Sequence, residues 1–93
     1  AIDKALGMAN ANQMYSYGKE LLSAGKAKEA LQVFEQNRLK NPSSNYITSL
    51  GLAEAYKAMN DKREAIKYFE LASKYAPKNR VDALLKEVAN LKR

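Results

Sequence analysis

The sequence predicts an all-α chain of stacked helix hairpins, and three observations carry that prediction. The stretch Gly25-Lys-Ala-Lys-Glu-Ala-Leu-Gln-Val-Phe34 recurs 35 positions later as Asn60-Asp-Lys-Arg-Glu-Ala-Ile-Lys-Tyr-Phe69. Pro42 recurs as Pro77 at the same interval, so the echo runs on past the end of the second helix of each unit. The apolar residues between these marks fall three or four apart rather than in alternation, and valine, a strand former, occurs only at positions 33, 81 and 88. A self-similarity of this length is the mark of helix pairs that bury their faces on one another.

The elements follow in order. Ile2, Ala5, Leu6 and Ala9 form an apolar stripe suited to a short leading helix or linker over residues 1–9, which Gly7, Asn10 and Asn12 interrupt. From Ala11 to about Ala24 the positions Met14, Tyr17, Leu21 and Ala24 recur at helical spacing. Gly18 leaves room there for another helix, and Gly25 supplies a left-handed end. A second helix, Ala27 to Lys40, faces Ala30, Leu31, Phe34 and Asn37 or Leu39 inward, until Asn41-Pro42-Ser43-Ser44 closes it. The second unit repeats this grammar with a helix from Asn45 to Met59 (Leu52, Ala55, Tyr56, Met59) and a turn at Asn60-Asp61. Asp61 to Glu64 reads as a capping box for a helix that buries Ala65, Ile66, Phe69 and Ala72. A last amphipathic helix, from about Arg80 to Leu91 with Leu84, Val88 and Leu91 on one stripe, suits a cap that shields the open end of a short array.

Composition narrows the function classes. With 93 residues the chain is one domain, and it opens on Ala1 and enters a helical pattern almost at once, which favours a piece of a longer protein. It lacks both cysteine and histidine, so no disulfide framework, thiolate or imidazole base is available, and cysteine usage leaves the compartment open. Isolated carboxylates such as Glu20, Glu54 and Glu70, with no glycine-rich phosphate loop, leave no catalytic set. The expectation is a protein that is not an enzyme and takes no cofactor or metal. The net charge of +6, from 16 Lys and Arg against 10 Asp and Glu, is spread along helix faces with acids nearby. Only the tail, with Lys74, Lys78, Arg80, Lys86, Lys92 and Arg93 against Asp82 and Glu87, is one-sided. That pattern argues against nucleic acid or lipid as the partner, and no apolar run is long enough for a membrane span.

At these residues the chain resembles the tetratricopeptide repeat. Placing Ala11 at repeat position 1 brings Tyr17, Gly18, Leu21, Ala30, Phe34 and Pro42 onto the family's pattern, and Tyr46 does the same for Leu52, Ala53, Tyr56, Ala65, Phe69, Ala72 and Pro77. Asn37 departs from the family's small alanine, which implies looser packing at the end of the first hairpin. The resemblance implies a right-handed αα superhelix of two hairpins, residues 11–44 and 46–79, closed by a capping helix over 80–93, all within a single domain 1–93. The phrases Asn12-Gln-Met-Tyr-Ser-Tyr-Gly, Ala30-Leu-Gln-Val-Phe-Glu-Gln-Asn and Ser49-Leu-Gly-Leu-Ala-Glu-Ala-Tyr are also similar to paired repeats at the C-terminal end of larger, often exported, bacterial proteins. That implies an exported or periplasmic setting.

In such arrays the first helix of each hairpin lines a concave groove. With a 35-residue step the register places Tyr15, Lys19, Ile47, Leu50, Glu54, Lys57 and Leu85 on that face as candidate contacts for a protein or peptide, apolar residues forming a strip and lysines selecting. The rival is structural: docking on a parent domain or on a second copy. The family's two-carboxylate clamp is not reproduced, since Tyr15, Lys19, Gly51, Asp82 and Lys86 stand at or near its positions. RNA reading by pentatricopeptide-like helix pairs is disfavoured by Tyr15 and Leu50 at the base-facing positions.

Overall fold

The computed structural model describes residues 10–93, and the expected leading helix or linker over residues 1–9 lies outside the described residues. Five helices follow one another: α1 (Ala11–Ser23), α2 (Ala27–Lys40), α3 (Asn45–Ala58), α4 (Lys62–Tyr75) and α5 (Lys78–Leu91). No strand occurs among the described residues, and none of their helices is long and apolar enough to cross a membrane. Each helix packs on the next, and α1 also lies against α3, so α1, α3 and α5 form one layer and α2 and α4 the other.

The helix ends follow from local chemistry. Asn10 and Gln13 form a reciprocal capping box at the start of α1, the Gln13 amide donating to Asn10 Oδ1 at 2.8 Å and the Asn10 amide to Gln13 Oε1 at 3.0 Å. The box expected at Asp61 is only half made, because Asp61 accepts from the Glu64 amide while Glu64 returns no bond. Both hairpin turns are Schellman motifs. The Lys26 amide donates to Leu21 O and that of Gly25 to Leu22 O, and the Asp61 and Asn60 amides repeat the pattern onto Tyr56 O and Lys57 O. The αL residue is Gly25 (φ 77°) in the first turn and Asn60 (φ 64°), one of the few other residues that tolerate it, in the second.

The core is built around Phe34, whose side chain is fully buried. A Cβ at Gly18 of α1 would meet its ring at 2.2 Å, and one at Gly51 of α3 at 2.4 Å, so the ring lies against two helix backbones where neither carries a side chain. Around it gather Ala30, Leu52, Ala53, Ala55, Ala65, Phe69 and Ala72, with Leu84 and Val88 closing the end from α5. Met14 and Val33 form a smaller cluster between α1 and α2, joined by Tyr17 and Leu21. Val33 and Tyr68, each directly before a core phenylalanine, are buried although the spacing did not single them out. Leu39 and Met59, expected or allowed to face inward, stand 74% and 37% exposed, and Ala24 is exposed as well.

Asn37 does not loosen the first hairpin. It is fully buried, its Nδ2 donates to Ala11 O at 3.1 Å and its Oδ1 accepts from Asn41 Nδ2 at 2.8 Å, so the polar side chain ties α2 to the start of α1. Helix α5 begins at Lys78, two residues earlier than Arg80, because Pro77 itself serves as its N-cap. The connector from α2 to α3 holds four residues, 41–44, whereas that from α4 to α5 holds only 76 and 77.

Two glycine substitutions separate packing from backbone conformation. Alanine raises helix propensity by about 1 kcal/mol over glycine, yet overpacking a tight core costs typically about 1–3 kcal/mol. At Gly18 the added methyl falls inside the Phe34 ring, so Gly18→Ala lowers stability in urea unfolding, and Phe34→Leu in the same chain recovers part of the loss. Gly25→Ala meets no neighbour and costs only the positive-φ strain, about 1 kcal/mol. The Phe34 change leaves that cost as it is.

Candidate functional site

A cleft of about 610 Å³ opens on the α1, α3, α5 face. It exists because α1 packs directly on α3 while α3 and α5 have little backbone contact, α4 holding them apart from behind. Tyr15, Lys19 and Leu22 come from α1, Tyr46, Leu50, Glu54, Lys57 and Ala58 from α3, and Arg80, Ala83, Leu84 and Glu87 from α5, with Phe69 of α4 at the floor.

Five of the seven residues singled out by the register, Tyr15, Lys19, Leu50, Glu54 and Lys57, meet in this cleft. Ile47 is half-buried outside its lining, and so is Leu85, which stands 48% exposed on α5. The displacement of Leu85 has a simple cause. The 35-residue step relates the lining residues of α1 and α3, Tyr15 to Leu50 and Lys19 to Glu54, but with the connector before α5 two residues shorter the step between lining residues of α3 and α5 is 33, Leu50 to Ala83 and Glu54 to Glu87. Two residues turn a helix by about 200°, so the groove positions of α5 are Ala83 and Glu87. Leu85 lies on nearly the opposite side. The signal was present in the sequence: Pro42 is followed by Ser43-Ser44, which stay outside the helix, and Pro77 has no such pair after it. Gly51, near a clamp position by register, is turned into the core against Phe34.

The polar groups of the cleft are mutually engaged. Glu54 accepts from the Tyr15 hydroxyl through Oε1 and from Lys19 Nζ through Oε2, linking α1 to α3. Lys57 pairs with Glu87 and links α3 to α5. The side chains of Lys19 and Lys57 are 45% and 50% exposed, so each pair contributes within the range of about 0–1 kcal/mol usual for solvated ion pairs. Their effect is to fix side-chain position rather than to stabilise. Tyr15 also packs its ring on Phe34, centroids 5.9 Å apart, so one side chain joins the core to the groove wall.

Half-burial, the bond to Glu54 and the carboxylate's negative charge hold the Tyr15 phenol well above its ordinary range. Hydrogen bonding to the Tyr46 side chain of α3, and the charge interaction with it, raise the pKa of the Arg80 guanidinium on the first turn of α5.

The opposite face carries a second hollow of about 450 Å³ between α2, α3 and α4, lined by Glu35, Arg38, Leu39, Pro42, Leu52, Tyr56 and Tyr68. Tyr56 and Tyr68 stack at 5.7 Å with an interplanar angle of 6°, and Arg38 Nη1 donates to the Tyr68 hydroxyl at 3.0 Å. This cluster pins the two hairpins together.

A family model described as tetratricopeptide repeat matches residues 21–88. Comparison with curated proteins and with solved structures gave no match.

The raised Tyr15 phenol makes alkaline stability testable. A group whose folded pKa lies above its unfolded value, here about 10 for tyrosine, supports the fold fully below that value and loses its contribution as pH rises through the folded pKa. The melting temperature therefore falls above about pH 10, where ionised Tyr15 would face Glu54. Tyr15→Phe begins lower by the worth of one hydrogen bond, about 1 kcal/mol, and declines less steeply over the same interval. Parallel declines in thermal melts would show that Tyr15 does not titrate against Glu54.

Proposed function

The chain belongs to the tetratricopeptide repeat family, and from that membership we propose that it is a protein-interaction module that holds a peptide or protein segment in the cleft between α1, α3 and α5. The observation that carries this reading is the cleft itself: a concavity of about 610 Å³ with apolar walls from Leu22, Leu50, Ala83 and Leu84 and polar groups held in place by their neighbours. Apolar surface supplies affinity, and fixed polar groups supply discrimination at little ordering cost. The family's repeats are as a rule scaffolds rather than catalysts, which favours binding over chemistry.

A second reading rests on one observation. Leu85 stands about half exposed on the side of α5 away from the groove, and Leu39 is more exposed still. Such residues suit docking against a parent domain or a second copy. Sedimentation over a range of concentrations separates the two: a monomer throughout removes self-association.

The groove reading is tested with Ala83→Trp. Ala83 is exposed and lines the cleft, so the indole fills the cavity without disturbing the core. For a peptide selected from a displayed random library against the unchanged chain, Ala83→Trp is expected to weaken binding about tenfold or more, or 1.4 kcal/mol. Leu39→Ser on the other face leaves it unaltered. Equal binding by both variants would place the peptide elsewhere.

A further inference from the structure

The cleft holds three cations, Lys19, Lys57 and Arg80, and two anions, Glu54 and Glu87. Lys19 is paired with Glu54 and Lys57 with Glu87, and among the described residues Arg80 enters no ion pair. The surplus positive charge of the cleft therefore resides on one guanidinium. No acidic residue lies in the first turn of α3 or of α5, the two turns that flank it, so nothing on those turns offsets the charge. Tyr46, which hydrogen-bonds it, and Leu50 and Ala83 line the same cleft.

From this arrangement we propose that the cleft selects a partner segment carrying an internal aspartate or glutamate, whose side-chain carboxylate sits on Arg80 while a neighbouring apolar residue rests on Leu50 and Ala83. The proposal deepens the groove reading and rests on it. Guanidinium and carboxylate are matched in shape and can form two parallel hydrogen bonds, and the net positive charge of the cleft favours an acidic segment. A chain-terminal carboxylate is the poorer occupant. Gripping one in the family's manner would need a lysine from α1 or α3 beside the arginine, and both lysines of the cleft are already committed to Glu54 and Glu87. A basic segment would meet Arg80 with like charge and find both acids occupied.

The test is selection from a displayed random-peptide library on the unchanged chain, on Arg80→Gln, on Arg80→Glu and on Ala83→Trp. Arg80 is exposed, so its replacement spares the core. The unchanged chain should enrich sequences with a recurrent Asp or Glu beside an apolar residue. A synthetic, C-terminally amidated copy of the strongest should bind, bind less as salt rises, and lose about tenfold in affinity on Arg80→Gln. Arg80→Glu should turn the recurrent acid into Lys or Arg. Apolar peptides without a recurrent acid, enriched by the unchanged chain and lost on Ala83→Trp, would overturn the acidic preference and leave the groove reading standing. Binding that disappears on amidation would assign the site to a terminal carboxylate and overturn the proposal. Failure of the unchanged chain to enrich anything over Ala83→Trp would remove both.

Discussion

The fold depends on one contact, the ring of Phe34 lying between the bare backbones of Gly18 and Gly51. That contact sets the distance from α2 to both α1 and α3, so it joins the two helices of the first hairpin and the first hairpin to the second. Alanines do related work at the other crossings: Ala30, Ala53, Ala55, Ala65 and Ala72 are all fully buried, each small enough to let helices approach. Where the side chains are minimal, position is decided by backbone contact, and the tolerance for a misplaced methyl is correspondingly small.

The groove inherits its geometry from this core. Tyr15 rests on Phe34 and reaches Glu54 with its hydroxyl, so packing in the interior determines where the first polar group of the cleft stands. Glu54 then positions Lys19, and Lys57 with Glu87 spans the wider gap to α5. Individually these pairs are weak, and their value is organisational. Among the described residues they leave Arg80 as the cleft cation without an ion-pair partner, and they do so with side chains drawn from all three helices of one layer.

Much of the fold was legible in the sequence because the features that specify it are local and repeated. Gly25 marks a chain reversal, Pro42 and Pro77 mark helix ends, and the spacing of Ala30 with Phe34 and of Ala65 with Phe69 marks the buried faces. What escaped was set by tertiary context. Val33 and Tyr68 are buried because each lies on the side of its helix that meets a neighbour, Met14 in one case and Tyr56 in the other. Asn37 reads as a polar defect until its partners at Ala11 and Asn41 are seen. The candidate groove was legible on α1 and α3, where a constant step applies, and was lost on α5, because two residues fewer in a connector rotate a helix to nearly its opposite side.

That connector bears on how such a chain can grow. Repeat arrays lengthen by copying a unit, and copying preserves a continuous inner surface only if each junction restores the same rotation. The two-residue joint before α5 does not. A further hairpin built from residues 45–75 and grafted directly after Tyr75 through Ala76-Pro77 would present the backs of its helices where the cleft continues, whereas the four-residue joint Asn41 to Ser44 would carry the inner surface onward. The short joint thus works as a change of key, setting the last helix in a different rotation from the one that the first two units share.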